Sequence, residues 1–406
     1  MRKHYLLGIL AAACLWQPVF AQNSKVTTAW GYLNSKDYDK ARDAINAAVT
    51  NEATMNEPKT WFYRGEAYQG IYADAKMKLT EPNALKEASI SYRKAIELDP
   101  KNKFYDARSV KDNLAVVTLL IFNEGLTAYD GKKYAEALDR FEEFETSYKA
   151  LGDAKKKIDD AFASTKPPTD INEVKLYMAG CAINLDQKEK AKKLFEELSD
   201  AKFANRGVYI NLSKYYLNDH DTAKAISILD RGMTVLPDDM KAGVLIEKLK
   251  ILVRQGKNKE AIVVAEDAIN HDPKNISLYN ALAKMYGEQK MYDKSVEVYN
   301  KAKTIENGSS NFGIVSGLGI IKFNQGVDKY NISVNSKAMS DQDKYLKEAR
   351  DIWKDAIKDL EGALNLTRTK ADNDDLRATY DALSQMYYKL QDPTNGKKYR
   401  ELYKTI

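Results

Sequence analysis

Three lysines recur at nearly equal spacing, and their ammonium groups are the first candidates for binding chemistry in this chain. They lie 36 and 34 residues apart, and each stands two residues before a large packing residue. With nearby polar residues they form a set that we call the predicted strip: Asn211, Lys214, Lys250, Arg254, Asn280 and Lys284. Such groups on one surface could hold a carboxylate or an extended acidic peptide. The alternative is that lysines are simply common on exposed helix faces.

A glycine-rich stretch, NFGIVSGLGIIKFNQG, could be taken for a phosphate-binding loop through Gly317, Gly319 and Lys322. It lacks the third glycine of a dinucleotide loop and the Gly-Lys-Ser/Thr of a P-loop, and no strand pattern precedes it. We therefore interpret these glycines as small residues that allow close helix packing.

Residue types that carry catalysis are sparse after residue 21. His220 and His271 both lie in polar turn sequences, and no HExxH, CxxC or nucleophile-elbow motif occurs. With Cys181 as the one cysteine there, an internal disulfide and a cysteine-based metal site are excluded for this part of the chain. We expect no catalytic residues, no metal and no cofactor. An enzyme would need a deep pocket lined by acids and aromatic residues, to which the 26 tyrosines could contribute.

Acidic pairs are interpreted in the same way. Asp159-Asp160, Asp238-Asp239 and Asp374-Asp375 occur in hydrophilic stretches without an accompanying histidine or nucleophile. Adjacent residues on a helix diverge, and acids favour helix N-termini. We predict solvated charge at helix ends.

The elements that position the strip follow from an internal repeat. A small residue begins three similar patterns, at Ala225, Ala261 and Ser295. The residues four and seven positions after each small residue lie on the same helical face as that residue. The packing residues of the preceding helix likewise share one face of their own helix. These further residues are Leu229, Gly232, Ala265, Ala268, Tyr299 and Ala302, with Tyr216, Leu252 and Tyr286 upstream. Small residues let helices approach and aromatic residues fill the space beside them, so the pattern predicts packed helix pairs.

This pattern resembles the tetratricopeptide repeat, a helix-turn-helix unit of 34 residues whose copies stack into a superhelix. Further repeats are marked by Ala41 and Ile45, Gly65 and Tyr92, Gly125 and Phe141, Ala191 and Phe195, Ala356 and Leu360, and, less regularly, Tyr387 and Tyr399. The resemblance implies an all-α, right-handed superhelical solenoid of about eight or nine repeats. Insertions or lengthened helices are expected in the second and the C-terminal repeats.

The resemblance also implies where the strip lies. First helices of tetratricopeptide repeats line a concave groove, and the three lysines fall at positions that face it. The spacing of Lys, Asn and Arg in the carboxylate-clamp members of the family is not reproduced here, so their specificity is not carried over.

The predicted organisation has five parts: a signal peptide, 1–21; repeats one to three, 22–149; a loop or linker, 150–171; repeats four to seven, 172–309; and divergent C-terminal helices, 310–406. Lys166-Pro167-Pro168 is the clearest stiff break. The linker could separate two arrays, or it could be a long loop within one superhelix, which we favour.

The first residues, MRKHYLLGILAAACLWQPVFA, have the basic tip, apolar stretch and small-residue end of a secretory signal, with cleavage predicted after Ala21. A lipoprotein signal with a lipidated Cys14 is the alternative. We disfavour it because apolar residues continue after Cys14, where a polar tether is usual.

Composition and charge bound the function. The chain has 44% hydrophobic and 30% charged residues, which excludes a disordered chain. Its 63 basic and 58 acidic residues become 61 and 58 without Arg2 and Lys3, a net charge of +3 that gives no general attraction to nucleic acid.

We predict a periplasmic, non-enzymatic scaffold or adaptor of the cell envelope, without a transmembrane span. Its partners would be other envelope proteins or peptides, with outer-membrane association through them. The alternative is a receptor that grips an acidic or C-terminal peptide in the groove of repeats five to seven.

Overall fold

The computed structural model describes most of the chain as α-helices joined by short turns. The described residues are 25–101, 103–104, 109–165, 169–369 and 372–406. Among them no strand occurs, and none of their helices is long and apolar enough to cross a membrane. The predicted signal peptide with Cys14, and Lys166-Pro167-Pro168, lie outside the described residues. Contacts divide the chain into two compact units, one up to Ala201 and one from Lys202. The boundary falls inside the predicted group 172–309.

The first unit is a succession of helix pairs with one short inserted helix. Its helices are α1 (25–34), α2 (Tyr38–Val49), α3 (Pro58–Ala73), α4 (Met77–Thr80), α5 (Ala84–Leu98), α6 (Val110–Asp130), α7 (Tyr134–Ala150), α8 (Lys156–Ala163), α9 (Ile171–Asn184) and α10 (Lys188–Asp200). The pairs α3/α5, α6/α7 and α9/α10 pack against each other. Each pair also packs on the next, so the stack is built from neighbouring contacts.

The second unit repeats this arrangement. Its helices are α11 (Arg206–Asn218), α12 (Thr222–Val235), α13 (Asp238–Arg254), α14 (Asn258–His271), α15 (Ile276–Glu288), α16 (Tyr292–Thr304), α17 (Phe312–Asn335), α18 (Met339–Leu364), α19 (Asn373–Lys389) and α20 (Pro393–Tyr403). Successive helices form the pairs α11/α12, α13/α14, α15/α16, α17/α18 and α19/α20. The all-helical repeat architecture is therefore confirmed.

The turns inside the pairs share one backbone feature. In seven of the described pairs the turn contains a residue in the left-handed region, which lets a helix end within two or three residues. These residues are Lys36, Lys132, Asp186, His220, Gly256, Lys290 and Gln391. The pair α3/α5, which contains the insertion, and the long pair α17/α18 have no such residue in the described part. Because the same turn recurs, the helix pairs are structurally equivalent repeats.

The core consists of the small and aromatic residues that mark the repeats. The anchors Ala225, Ala261 and Ser295 are fully buried, and so are Tyr299 and Ala302. Aromatic rings occupy the places that glycines leave open on the facing helix. A Cβ added to Gly65 would lie 2.4 Å from the ring of Tyr92, which is too close for two carbon atoms. The same holds for Gly125 with Phe141, Gly317 with Tyr299, and Gly326 with Trp353.

The glycine-rich stretch is part of this packing. Gly317 faces Tyr299 of α16, and a Cβ on Gly319 would lie 2.5 Å from Leu360 of α18. Both glycines lie in the helical interior of α17 and are buried. The interpretation as packing glycines is therefore supported by the geometry.

The described part of residues 150–171, predicted as a loop or linker, is largely helical. A 3₁₀ turn covers Gly152–Lys155 and α8 follows it. Ile158 and Phe162, four residues apart on α8, are buried, and the Phe162 ring lies 4.9 Å from that of Phe122 and 5.7 Å from that of Phe144. This segment is helical rather than a loop because the apolar side of the short helix α8 packs against α6 and α7.

The predicted lengthening of the C-terminal repeats takes the form of extended helices. α17 has 24 residues and α18 has 26, so the stretch Gly326–Lys344 prolongs both helices of one pair. Trp353 is buried between them and donates from Nε1 to the carbonyl oxygen of Phe323 at 3.2 Å. The second-repeat insertion contains the short helix α4.

The register of the sixth repeat can be tested by overpacking. Ala261 has no exposed surface, whereas Val263, two residues along α14, is 63% exposed. We expect Ala261→Trp to destabilise the second unit by about 1–3 kcal/mol or more, because the indole has no space. Val263→Trp should change stability by less than about 0.5 kcal/mol. Thermal and denaturant unfolding measure both, and equal stabilities would contradict the register.

Candidate functional site

The predicted strip lies on the first helices of three successive pairs in the second unit. Asn211 and Lys214 are on α11, Lys250 and Arg254 on α13, and Asn280 and Lys284 on α15. Of the packing residues predicted two positions after the lysines, Leu252 and Tyr286 are buried and Tyr216 is half-buried. The three lysines are exposed. The strip residues therefore lie on the side of these helices that the core does not use.

Gly243 of α13 lies next to the side chain of Arg206 on α11. A Cβ on Gly243 of α13 would lie 3.5 Å from Cδ of Arg206 on α11. Since each helix runs antiparallel to the next across a short turn, α11 and α13 run in the same direction. Seven or eight residues beyond this contact, on the same side of the two helices, come Lys214 and Lys250. Arg206, which the sequence analysis did not single out, thus joins the cationic residues of this face.

Lys284 has a partner within the chain. Its Nζ donates to both carboxylate oxygens of Asp375 on α19, at 2.9 and 3.2 Å. Asn280, one turn earlier on α15, accepts a hydrogen bond from the hydroxyl of Tyr299 at 3.2 Å. Burial, and then the nearby carboxylate of Asp375, raise the pKa of Tyr299 well above its ordinary value, so its hydroxyl stays protonated and donates.

Lys250 also has a partner, on its own helix. Its Nζ donates to Glu247 at 2.9 Å, three residues earlier on α13, with the lysine side chain 54% exposed. Exposed pairs of this kind contribute about 0–1 kcal/mol. The pair lowers the net charge at this position but leaves the ammonium group accessible.

Lys214 and Arg254 differ from the other cations of the strip. Both are exposed, and neither forms an ion pair or hydrogen bond with any residue that the structure describes. Asn211 is half-buried. Among the described residues, the strip thus has unpaired cations at Lys214 and Arg254, whereas Lys250 is paired with Glu247 and Lys284 with Asp375. An arrangement of this kind can hold carboxylates electrostatically, and it contains no group placed for bond-breaking chemistry.

Other residues with chemical potential have structural surroundings. His220 is the left-handed turn residue between α11 and α12, and His271 ends α14 with its Nε2 3.7 Å from Asp267. Burial raises the pKa of the Cys181 thiol to about 11, so it stays protonated at neutral pH. Within the described ranges no three His, Cys, Asp or Glu side chains come together as a metal site would require.

A second concave pocket lies in the first unit, and the sequence analysis did not predict it. It is lined by Trp30, Leu33, Asn34, Tyr38, Glu66, Gln69, Gly70, Ala73 and Asn113, from α1, α2, α3 and α6. The indole of Trp30 is 42% exposed, and Gln69 accepts a hydrogen bond from Tyr92 at 2.6 Å. This lining is mostly uncharged and partly aromatic. Its chemistry therefore differs from that of the strip in the second unit.

Two family models match parts of this chain, and several solved structures are similar to it. A model of the ChAPs family, described as Chs5p-Arf1p-binding proteins, matches residues 168–304, and a tetratricopeptide-repeat model matches residues 83–102. No curated protein matches the chain. Among solved structures, the C-terminal part of a TPR repeat-containing protein from Cytophaga hutchinsonii is 14% identical, covering 68% of this chain and 92% of that one, with a TM-score of 0.46. PilF from Pseudomonas aeruginosa is 16% identical, covering 65% and 97%, with a TM-score of 0.29.

The residues matched by the tetratricopeptide-repeat model form one helix of a pair. Residues 83–102 contain α5, the second helix of its pair, in which Ala88, Tyr92 and Ala95 are fully buried. A similar arrangement of small residues around a larger one, which is aromatic in α16 and aliphatic in α2, α12 and α18, recurs in other described pairs. Helical repeats of this type bind protein partners. The described helix pairs are therefore similar to tetratricopeptide repeats.

Proposed function

We propose that this protein is a non-enzymatic interaction scaffold of the bacterial periplasm, which holds partner proteins on the exposed faces of its two repeat units. The observation that carries the proposal is the contrast on α11 and α13. Their packing residues are buried, while Arg206, Lys214 and Arg254 remain exposed without a partner among the described residues. Cations kept on one face without an internal counter-charge are available to another molecule.

An adaptor role is supported by two further points. The pocket of the first unit is mostly uncharged and carries the exposed Trp30, whereas the face of the second unit is cationic. Two surfaces of different chemistry can bind two different partners. The ChAPs family, which matches part of the chain, is described as binding both Chs5p and Arf1p, and this favours a role in joining proteins.

The cell envelope is the proposed location because residues 1–21 have the pattern predicted for a signal peptide. A scaffold there would support an assembly or secretion complex and would reach the outer membrane through its partners. Fractionation of a diderm host that produces the full chain tests this proposal. We expect the protein in the periplasmic fraction with Gln22 as its first residue. Recovery in the cytoplasm would contradict the location, and a lipid on Cys14 would contradict cleavage after Ala21.

A peptide receptor is the second candidate, because Lys214 and Arg254 lie exposed on the strip without an internal partner in the described part of the chain. A receptor would grip an acidic or C-terminal peptide along repeats five to seven. The pairing of Lys284 with Asp375, and of Lys250 with Glu247, reduces the cationic length that such a peptide would meet. The strip cations that remain unpaired within the described residues are Lys214 on α11 and Arg254 on α13.

Charge reversal distinguishes the two candidates. Lys214→Glu places a negative charge on the strip, and Lys259→Glu places one on α14, the second helix of its pair, as the matched control. If the strip is a receptor site, partners recovered from crosslinked envelopes should fall at least fivefold with Lys214→Glu and stay unchanged with Lys259→Glu, because one charge is replaced by its opposite at close range. A scaffold that uses other faces should keep its partners in both variants. Recovery no higher than that of an unrelated periplasmic protein would refute the scaffold itself.

A further inference from the structure

The concave pocket of the first unit has a volume of about 630 Å³, and its lining comes from α1, α2, α3 and α6. This volume lies within the range of small-molecule sites, about 300–1,000 Å³. On α1, the lining residues Trp30 and Asn34 are one turn apart. On α3, Glu66 and Gln69 are three residues apart and also share one helical face. Helical spacing therefore places side chains from separate helices around one space.

The indole of Trp30 is the most accessible aromatic group of this lining. It is 42% exposed, and its Nε1 forms no hydrogen bond with any residue that the structure describes. The other two described tryptophans differ, because Trp61 and Trp353 donate from Nε1 to the carbonyl oxygens of Met55 and Phe323. An indole that keeps its ring face and its N–H accessible can contact a ligand with both.

The ring of Tyr38 extends this apolar side and is held in place by the fold. A Cβ on Gly70 of α3 would overlap the ring, so the ring lies directly against the backbone of α3. The half-buried Leu33 of α1 lines the pocket beside these rings. The apolar side is thus partly formed before a ligand arrives, which lowers the entropy cost of binding.

The buried hydroxyl of Tyr92 holds the polar side of the pocket together. It donates to Oε1 of Gln69 at 2.6 Å, and Asn113 of the lining lies beside it. Burial, and then the charge of Glu66, raise the pKa of Tyr92 well above its ordinary value, so the hydroxyl stays protonated and donates. This bond fixes the amide of Gln69, whose Nε2 donates to no residue in the described part of the chain. Two amide N–H groups therefore remain for another molecule.

These features favour a neutral ligand that carries hydroxyl groups on an apolar ring. Amide side chains both donate and accept hydrogen bonds, as sugar hydroxyls do. The C–H groups on one face of a pyranose ring carry small positive charges, which suits the negative face of an indole. Glu66 is the one charged residue of the lining, so the pocket offers no cation to an acidic peptide.

We propose that this pocket binds a neutral saccharide, with one sugar ring stacked on Trp30 and its hydroxyls hydrogen-bonded by Asn34, Gln69 and Asn113. The site binds without hydrolysing, because glycoside hydrolysis uses a pair of carboxylates and the lining holds one. This inference goes beyond the scaffold function and does not depend on the strip of the second unit. In an adaptor, one surface would then hold a saccharide and the other a protein.

The test measures the affinity of the full chain for three neutral oligosaccharides: cellotetraose, maltotetraose and tetra-N-acetylchitotetraose. Octaserine is the uncharged peptide reference, and titration calorimetry gives each Kd. We expect at least one oligosaccharide to bind with a Kd below about 1 mM, and octaserine not to bind. Trp30→Ala should weaken that binding about five- to tenfold, because the stacking face is lost. Trp30→Phe keeps a ring and should lose less.

Ile183→Ala is the matched control, since Ile183 is 44% exposed in the same unit and does not line the pocket. It should leave the affinity unchanged within about 1.5-fold, as for an exposed residue without a special role. Asn34 is exposed and forms no hydrogen bond within the described ranges. Asn34→Ala should weaken saccharide binding about two- to tenfold, as the loss of one hydrogen bond does. Circular dichroism of each variant checks that the helices are retained.

The outcomes separate this site from the scaffold function. Saccharide binding that falls with Trp30→Ala and Asn34→Ala, but not with Ile183→Ala, would support the site. Equal affinities of all variants would mean that the saccharide binds elsewhere, and binding of octaserine alone would indicate a peptide groove. Either result overturns the proposal, as does the absence of saccharide binding at about 1 mM. Recovery of partner proteins from crosslinked envelopes tests the scaffold independently of these results.

Discussion

The contact of an aromatic ring with a residue that has little or no side chain is the interaction on which the rest of the structure depends. Gly65 with Tyr92 and Gly326 with Trp353 are examples at opposite ends of the chain. The ring needs the space that the missing Cβ leaves, and the backbones can approach only because the ring fills it. A single helix pair cannot bury both of its small-aromatic faces, so each pair must pack on the next.

This packing also decides which residues are available for binding. Tyrosines that could have lined a ligand site are used in the core, as Tyr299 shows, while the first helices keep their polar side outside. Outside the core, Lys284 of α15 forms an ion pair with Asp375 of α19.

The repeats could be predicted because their residues are local: Ala261, Ala265 and Ala268 share a helical face by spacing alone. The partner of Lys284 could not be predicted, because Asp375 lies 91 residues away and its sequence context is that of an ordinary acidic residue in the first turn of a helix. The helix α8 was missed for a related reason. Its apolar side has only Ile158 and Phe162, and their burial depends on a place that α6 and α7 provide. Local patterns predicted the elements, whereas pairings between distant elements depend on the assembled stack.

A thermodynamic cycle on the pair of Gly326 and Trp353 tests the central claim most directly. Gly326→Ala should destabilise the α17/α18 pair by about 1–3 kcal/mol when Trp353 is present, since the new Cβ would lie 2.4 Å from its Nε1. In a Trp353→Leu background the same change should cost nothing, or stabilise by about 0.5–1 kcal/mol as alanine does in a helix. Gly362→Ala, with open space around it, is the control. Hydrogen exchange of α17 and α18 measures the free energy change caused by Gly326→Ala in each of the two backgrounds. Equal costs of Gly326→Ala in the two backgrounds would contradict the account.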